Sequence, residues 1–294
     1  MKKLIFIICT EKGPLEKKSL LLVKSIREFA GKYKDFDILS FAPRAGYEIS
    51  QKTQDEFDKL NVKHLNIALN TDYYDYPLAN KPLVCAYVEE NFESEYFIFM
   101  DSDKILLNEP IEFIFENEFD VALRPVDVKN IGSSGKGDQN NEYWEKLYDI
   151  VGVKEKNYVM STVGNEKILS YWNSGLISVR SGKNLFTQWK NNFIKVMDKK
   201  LTPSQGVFFV EQSVFAATVS SLELSVFEFS NMYNYPIHMQ NNITEDKKIK
   251  NLNDIVTLHY HHMLDNEPLF ESILDLFDSN EKKSFIQNNV VFDK

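Results

Sequence analysis

The segment Tyr96-Phe-Ile-Phe-Met-Asp101-Ser-Asp103 gives the strongest structural signal in the chain. Its first five residues are apolar or aromatic without alternation, which is typical of a β-strand buried on both faces. Two carboxylates follow with one residue between them, directly past the end of the predicted strand. Ligands of open α/β sheets bind at this carboxyl edge, and paired oxygen ligands there suit a hard divalent cation. The segment therefore predicts a central strand with a cation site at its end.

Strand-like and helix-like segments alternate on the amino-terminal side of this segment. Apolar runs predict strands, and apolar residues at helical spacing predict helices. The predicted strands are residues 4–9, 36–41, 62–67 and 96–100, and the predicted helices are residues 20–30, 51–60 and 78–92. Helices of this length between strands imply a parallel, doubly wound sheet. We therefore predict an α/β fold with a mostly parallel central sheet flanked by helices.

The pattern after Asp103 is mixed. It predicts strands at residues 119–123, 176–179 and 255–260, helices at 143–151, 186–197 and 207–219, and one or two helices within 267–287. Residues 131–140 are polar and glycine-rich without periodicity, which predicts a mobile loop. No internal repeat or low-complexity linker interrupts the chain. We therefore expect a single domain over residues 1–294 with a mixed second half.

The composition excludes several classes of protein. The chain carries 34 Lys and Arg against 43 Asp and Glu, a formal net charge of -9, whereas binders of nucleic acid or anionic membranes are usually basic. Two cysteines are too few for a disulfide scaffold or a four-cysteine zinc site. The apolar stretch at residues 4–9 is too short for an export signal, and no later run approaches the roughly 20 residues of a membrane span. We expect a soluble, cytoplasmic protein with no nucleic-acid partner and no transmembrane segment.

The aspartate pair allows other interpretations. Aspartate often caps turns where strands end, and for an isolated Asp-x-Asp this is the more common role. An EF-hand calcium loop needs an oxygen ligand and then a glycine where Ile105 and Leu106 stand, so that class is excluded. Phosphatases of the haloacid-dehalogenase type also place Asp-x-Asp after an apolar strand, although usually the first one. That class stays an alternative.

Several separate segments resemble GT-A fold nucleotide-sugar glycosyltransferases, most closely family eight and its relatives. The similarity spans roughly residues 1–265, with motifs in the same order and at similar spacing. The matching segments are Asn80-Lys81-Pro82, Tyr96 to Asp103, Asn173-Ser-Gly175-Leu-Ile-Ser-Val179, Glu211-Gln212, Asn234-Tyr-Pro236 and Leu258-His259-Tyr-His261. The resemblance implies a Rossmann-like GT-A fold. In such a fold, residues 1–125 would bind the nucleotide, residues 126–265 the sugar and acceptor, and residues 266–294 would form a helical tail.

The resemblance also implies a metal ion, usually Mn²⁺ and otherwise Mg²⁺. Asp101 and Asp103 would hold it together with a late histidine, for which His259 is the candidate. His261 is the reserve, because residues 259 and 261 would share one face of a strand. Mixed carboxylate and imidazole ligation suits manganese.

Donor-binding residues follow from the same resemblance. The turn after the first strand would cradle the base and ribose, Lys81 would lie near the phosphates, and Gly175 would let the ligand approach the backbone closely. Each of these residues also has an ordinary structural interpretation, such as a turn, a helix start or a solvated lysine. The implied donor-binding residues are Cys9, Thr10, Glu11, Lys81, Asp101, Ser102 and Gly175.

The implied reaction moves a sugar from a nucleotide-diphosphate donor, most often a UDP-sugar, to a hydroxyl of a glycan, lipid-linked or other acceptor. Asn173 would line the sugar and acceptor side. Glu211 is the candidate base of an inverting enzyme, whereas Gln212 would position the sugar in a retaining one, and the resemblance favours retention. A binding protein that holds a nucleotide sugar without catalysis is a further alternative.

One departure concerns the diphosphate. Family-eight sequences usually follow the late histidine with glycine and then lysine, proline and tryptophan, whereas this chain continues His262-Met-Leu-Asp-Asn-Glu-Pro268. The lysine and tryptophan are missing. Lys81, Lys104 and Lys136 are the candidates for binding the diphosphate in their place.

Overall fold

The computed structural model describes residues 3–290 and residue 292. The strands are β1 (Leu4–Cys9), β2 (Asp37–Ala42), β3 (Val62–Asn66), β4 (Tyr96–Met100), β5 (Lys104–Leu106), β6 (Val121–Leu123), β7 (Tyr158–Met160), β8 (Lys167–Leu169), β9 (Leu176–Arg180), β10 (Val226–Glu228), β11 (Tyr235–Pro236) and β12 (Thr257–His259). The helices are α1 (Pro14–Phe29), α2 (Gln51–Lys59), α3 (Asn80–Asn91), α4 (Asn141–Val151), α5 (Leu185–Asp198), α6 (Val210–Ser221), α7 (Glu267–Leu274) and α8 (Asn280–Asn289). Met1, Lys2, Val291, Asp293 and Lys294, which belong to the predicted domain 1–294, lie outside the described residues.

Seven strands form the central sheet in the order β10-β6-β9-β4-β1-β2-β3. Strands β3, β2, β1 and β4 are mutually parallel, and Phe6 of β1 lies opposite Ile38 of β2 and Ile98 of β4. Strand β9 runs antiparallel between β4 and β6. The predicted α/β fold with a mostly parallel central sheet flanked by helices is confirmed.

Apolar side chains cover both faces of this sheet. Successive strand residues point to opposite faces, so Ile5 and Ile7 of β1 pack toward α3, α5 and α6, whereas Phe6 and Ile8 pack toward α1 and α2. All four side chains are buried. This two-sided burial is why the strand sequence is apolar without alternation.

A second sheet of three short strands lies beyond β4, in the order β11-β12-β5. Strand β5 begins directly after Asp103, and the register places Lys104 of β5 and Pro236 of β11 opposite His259 of β12. The predicted buried strand 255–260 is therefore shorter than expected and belongs to this small sheet. Strands of two or three residues are too short to show a periodic pattern, so β5 and β11 could not be predicted.

Two other segments differ from the predictions. The predicted helix 207–219 starts as a 3-10 turn at Val207–Phe209 before α6 begins. The loop at residues 131–140 is tied internally by Asp138, whose carboxylate accepts hydrogen bonds from the backbone N–H groups of Ser134 and Asn140. Among the residues that the structure describes, no helix has the length and apolar character needed to span a bilayer.

Candidate active site

A cavity of about 470 Å³ opens at the carboxyl ends of β1 and β4. Loops after β1, β2 and β4 and the start of α3 form its walls. Its lining residues include Lys12, Lys18, Arg44 and Lys81 as cationic side chains and Glu11, Asp101 and Asp103 as acidic ones, all within the described part of the chain. A chain with a net charge of -9 thus places four cationic side chains beside three acidic ones here, a mixture that suits an anionic ligand bound together with a cation.

Asp101 lies where β4 ends and is held from two sides. Its backbone N–H donates to the carbonyl oxygen of Gly175 at 2.8 Å, and its Oδ2 accepts from Lys81 Nζ at 2.8 Å. Lys81 Nζ also lies 3.9 Å from Glu211 Oε1. Burial alone would lower the pKa of Lys81, but the Asp101 and Glu211 carboxylates raise it, so this side chain is a cation.

Glu211 is a deeply buried carboxylate, with its side chain 2% exposed. Burial raises its pKa to about 7, although the positive charge of Lys81 acts in the opposite direction. Its Oε1 has no hydrogen-bond partner among the described residues. Glu211 does not line the cavity, and it acts on the cavity through Lys81.

The segment before β9 packs directly against Asp101. The Oδ1 atom of Asn173 accepts from the N–H of Gly175 at 2.8 Å. A Cβ atom on Gly175 would lie only 2.5 Å from Asp101 Oδ2, so a residue without a side chain is required for Asp101 to keep this position. The predicted residues Asn173, Gly175 and Asp101 are therefore brought together.

Gln212 has a fixed orientation. Its Oε1 accepts from the backbone N–H of Ser174 at 3.2 Å, and its Nε2 donates to the hydroxyl of Tyr171 at 2.8 Å. Bonds at both ends of the amide leave one orientation for this side chain. Gln212 thus lies beside the Asn173–Gly175 segment rather than on the wall of the cavity.

Asp103 contacts the predicted histidine. Its Oδ2 lies 3.3 Å from His259 Nε2 across the small sheet. Burial would raise the pKa of Asp103, but His259 and the neighbouring Lys104 lower it well below the usual range. Asp103 Oδ1 and His259 Nδ1 are both buried without a hydrogen-bond partner among the described residues.

Three imidazole rings cluster around this contact. His261 lies past the end of β12 with φ 57, so the strand geometry that predicted a shared face with His259 stops before it. Its ring centroid is nevertheless 5.2 Å from that of His259. The ring of His238, which follows β11, lies 4.9 Å from His261 and 5.3 Å from His259. His238 was not predicted, because nothing local in its sequence links it to Asp103.

The Asp103 carboxylate and the neighbouring imidazole rings are of the chemical types that bind divalent cations. Carboxylate and imidazole donors suit manganese, and the unpartnered Oδ1 of Asp103 is a free oxygen ligand. The described residues nevertheless contain no set of three His, Cys, Asp or Glu side chains already placed to hold a metal, and Asp101 is engaged by Lys81. An ion at this site therefore needs further oxygen ligands from a bound molecule, as is common for small divalent cations beside phosphates.

The opposite wall of the cavity contains a complete ion pair that the sequence did not reveal. Arg44 Nη2 lies 2.6 Å from Glu11 Oε2, and Arg44 Nε contacts both carboxylate oxygens at 3.0 and 3.1 Å. The guanidinium carbon lies 4.1 Å from the ring centroid of Tyr47 and 5.6 Å from that of Tyr74. This wall therefore combines a buried salt bridge with the aromatic ring of Tyr47, and the Tyr74 ring packs on the same guanidinium outside the lining.

The other residues predicted after β1 and β4 take different positions. Cys9 lines the cavity, and burial raises the pKa of its thiol, so it is uncharged. Ser102 also lines it, and its carbonyl accepts from the Tyr260 hydroxyl at 3.3 Å. Thr10 is buried outside the cavity lining, where its Oγ1 accepts from Ser40 Oγ at 2.9 Å.

The candidate lysines for the diphosphate also differ in position. Lys104 is buried and donates to Asn234 Oδ1. Lys136 lines a separate cavity beside β7. Of the three candidates only Lys81 lines the cavity that contains Asp101, whereas Lys12 and Lys18, which were not predicted, line it as well. Lys12 precedes α1 and Lys18 lies in its second turn, but Lys17 and Lys24 lie on the same helix, so no local sequence signal singles out Lys18.

A mostly parallel central sheet, a small mixed sheet and an Asp-x-Asp motif at the end of β4 define the class of GT-A fold glycosyltransferases. The chain belongs to the Rhodobacterales glycosyltransferase domain family, whose sequence profile matches residues 6–223. It is therefore a glycosyltransferase, and the predicted family resemblance is confirmed at the level of the GT-A class. Enzymes of this class commonly use divalent metal ions.

Solved structures support the same fold. The apo structure of the bifunctional glycosyltransferase WbbM superposes with a TM-score of 0.57 at 13% identity, covering 98% of this chain and 52% of WbbM. The galactosyltransferase LgtC, in complex with donor and acceptor sugar analogues, gives 0.53 at 10% identity, covering 99% of this chain and 97% of LgtC. The apo glycosyltransferase GlyE of Streptococcus pneumoniae TIGR4 gives 0.54 at 10% identity, covering 99% and 61%.

The extent of these similarities limits them to the fold. The chain spans about half the length of WbbM, and identities of 10–13% carry no information on substrates. No curated protein sequence matches the chain significantly.

Proposed function

We propose that this protein transfers a sugar from a nucleoside-diphosphate sugar, with UDP-sugars as the first candidates, to a hydroxyl of a glycan, lipid-linked or other acceptor, with retention at the anomeric carbon. The observation that carries the proposal is the position of Asp101 and Asp103 in a cavity that also presents Lys12, Lys18 and Lys81. Carboxylates for a cation and ammonium groups for an anion meet at one sheet edge. A nucleoside diphosphate with a divalent ion needs both.

The residues that would hold Mn²⁺ or Mg²⁺ are Asp101, Asp103 and His259, with His261 in reserve. When bound, the ion would act as a Lewis acid that neutralises charge on the departing diphosphate. The buried, unpartnered Oδ1 of Asp103 supports this assignment, because a buried carboxylate oxygen without a partner is costly.

The base and ribose of the donor would lie along the wall formed by Cys9, Glu11 and Tyr47. Ser102 and Asp101 would face the ribose and phosphates, and Thr10 would support this wall from behind. Residues 1–125 would then bind the nucleotide and residues 126–265 the sugar and acceptor, with residues 266–294 as a helical tail.

The chain's own residues would organise the transfer step. Retention would have the bond from the anomeric carbon to the diphosphate oxygen break while the acceptor oxygen bonds on the same face, and the acceptor proton would pass to the leaving diphosphate. The transition state resembles an oxocarbenium ion, so it depends on positioning and on a well-placed electrostatic field. Gln212, fixed by Ser174 and Tyr171, and Asn173 would orient the sugar. Glu211 would hold Lys81 in place.

The test is incubation of the protein and Mn²⁺ with a panel of nucleotide sugars, with detection of the released nucleoside diphosphate. Release that requires Mn²⁺ and is abolished by EDTA supports the proposal, and NMR of the product gives its anomeric configuration. Nucleotide-sugar binding without turnover would favour a non-catalytic binder. Phosphate release from simple phosphate esters would favour a phosphatase.

Two variants assign the ligands within the same experiment. Asp103→Ala and His259→Ala should lose Mn²⁺-dependent donor binding, measured by calorimetry, while circular dichroism shows that they stay folded. Donor binding equal to the wild-type value in both variants would contradict the assignment.

A further inference from the structure

The cationic side chains of the cavity differ in how fully neighbouring carboxylates neutralise them. Arg44 is saturated by Glu11, with contacts at 2.6, 3.0 and 3.1 Å. Lys81 lies between Asp101 at 2.8 Å and Glu211 at 3.9 Å. Neither cation carries uncompensated charge for a ligand that arrives with two or more negative charges. Beyond the proposed divalent ion, further positive charge must come from other side chains of the cavity wall.

Lys18, in the second turn of α1, occupies a suitable place. It lines the cavity together with Asp103 and His262. Its Nζ lies 3.0 Å from Asp265 Oδ2 and 3.3 Å from the carbonyl oxygen of His261. The Lys18 side chain is 14% exposed, whereas that of Asp265 is 48% exposed. Lys18 is thus held at the wall while its partner carboxylate faces solvent, where water weakens the pairing.

The contact between Lys18 and Asp265, here called the brace, and the contact with the His261 carbonyl leave one N–H donor of Lys18 for a ligand. A lysine ammonium has three N–H donors, and these two contacts occupy two of them. The same oxygen of Asp265 is also shared with His262 Nδ1, at 3.1 Å. Asp265 therefore orients Lys18 without neutralising it fully, and an oriented cation loses less side-chain entropy when an anion binds.

We propose that Lys18, braced by Asp265, binds the diphosphate group of the donor and of the departing nucleoside diphosphate. This inference rests on the proposed function and specifies one part of its site. It places the phosphate-binding cation on the first helix, with its brace in the segment after β12, so the cation and its support come from opposite ends of the chain.

The test compares Lys18→Met with Lys17→Met, a matched control on the same helix that does not line this cavity. The probes are the nucleoside diphosphate that the wild type binds best among UDP, GDP, CDP and ADP, and the corresponding monophosphate, each with Mn²⁺ in a calorimeter. Loss of a charge-assisted contact should weaken diphosphate binding by Lys18→Met about 10- to 100-fold. Lys17→Met should match the wild type. Monophosphate binding should change much less, so the ratio of diphosphate affinity to monophosphate affinity should be much lower in Lys18→Met than in the wild type.

Two further variants separate charge from structure. Lys18→Arg should recover part of the diphosphate affinity because it keeps the charge, and Asp265→Asn should lose about 3- to 10-fold because the brace weakens. Thermal unfolding of all variants shows whether they are folded. Equal loss of monophosphate and diphosphate affinity in Lys18→Met, or no recovery in Lys18→Arg, would overturn the role of Lys18.

The outcomes also separate this inference from the function on which it rests. A wild-type protein that binds none of the four nucleoside diphosphates would overturn the proposed function and the inference together. A wild type that binds one of them, with Lys18→Met binding it equally well, would overturn the inference alone.

Discussion

The two walls of the cavity differ in how completely their charged groups are paired. On the wall after β1, Arg44 covers both carboxylate oxygens of Glu11 and packs against Tyr47. On the wall after β4, Asp103 Oδ1 is buried without a partner among the described residues, and Glu211 Oε1, which lies beside Lys81 outside the cavity lining, is also unpartnered. The first arrangement is complete in itself, whereas the second has unused ligand capacity.

This difference separates support from chemistry. Buried polar atoms in proteins are nearly always hydrogen-bonded to protein or water, so an unpartnered carboxylate oxygen at the cavity, such as Asp103 Oδ1, has capacity for a ligand or ion. The Glu11–Arg44 pair shapes one wall, and the Lys81–Asp101–Asp103 side receives the reacting groups. Changes on the first wall should therefore act on stability, and changes on the second on activity.

The largest effect is expected from Asp103→Asn. The side chain keeps its size but loses the charge that would hold a cation, so Mn²⁺-dependent turnover should fall about a thousandfold, equal to about 4 kcal/mol of transition-state stabilisation. Steady-state kinetics and Mn²⁺ titration measure this. Asp246→Asn, an exposed aspartate outside the cavity lining, is the control and should behave as the wild type. Full activity of Asp103→Asn would contradict the proposal that the wall after β4 receives the reacting groups.

The next effect concerns the paired wall. Arg44→Met leaves the buried Glu11 carboxylate without its partner, which should lower the free energy of unfolding by about 3 kcal/mol. Urea unfolding measures the change. Adding Glu11→Gln to this variant should restore most of the loss, because the uncompensated charge disappears. A double variant no more stable than Arg44→Met would show that the pair does not act through charge.

Glu211→Gln tests the buried carboxylate beside Lys81, outside the cavity lining, through the pH dependence of stability. The pKa of Glu211 is raised from 4.5 to about 7, mainly by burial, so the folded protein binds this proton more tightly than the unfolded chain does. Wild-type stability should therefore fall as pH rises from about 5 to about 8, by at most about 3 kcal/mol from this group. Urea midpoints at both ends of this range measure it. Glu211→Gln should lack this component, whereas the exposed Glu155→Gln should keep it.

The smallest effect is expected from Gly175→Ala. Its Cβ would lie 2.5 Å from Asp101 Oδ2 and must displace that carboxylate, at a cost of about 1–2 kcal/mol. Turnover should fall about tenfold, with a smaller change in unfolding midpoint. Gly164→Ala is the control, because its Cβ would meet Glu166 Oε2 and Ser161 Oγ at 3.1 Å, away from the cavity. A larger loss of turnover in the control would contradict the role of this close approach.

Local pattern predicted most of the central sheet. The apolar runs at β1 and β4 indicated two-sided burial, and the helical spacing between them indicated parallel strands. The position of Asp101 and Asp103 at the end of β4 followed directly. The short strands β5 and β11 were not predicted, because two or three residues carry no periodicity.

Contacts between segments far apart along the chain could not be predicted from the sequence. His259 reaches Asp103 across 156 residues, and Lys18 reaches Asp265 across 247. Arg44 meets Glu11 only because β1 and β2 are adjacent, and His238 joins the histidine cluster through the pairing of β11 with β12. The resemblance to known enzymes suggested His259, but no local feature separated Lys18 from the other lysines of α1.

The amino-acid sequence alone determined the layered α/β architecture and the location of the acidic pair. The reason is that the spacing of apolar residues indicates which faces of strands and helices are buried. Tertiary structure alone decided which cations face the cavity, which carboxylates are neutralised and which keep free oxygens. Those properties depend on the juxtaposition of chain segments far apart in sequence, which the pairing of short strands and the closure of long loops determine.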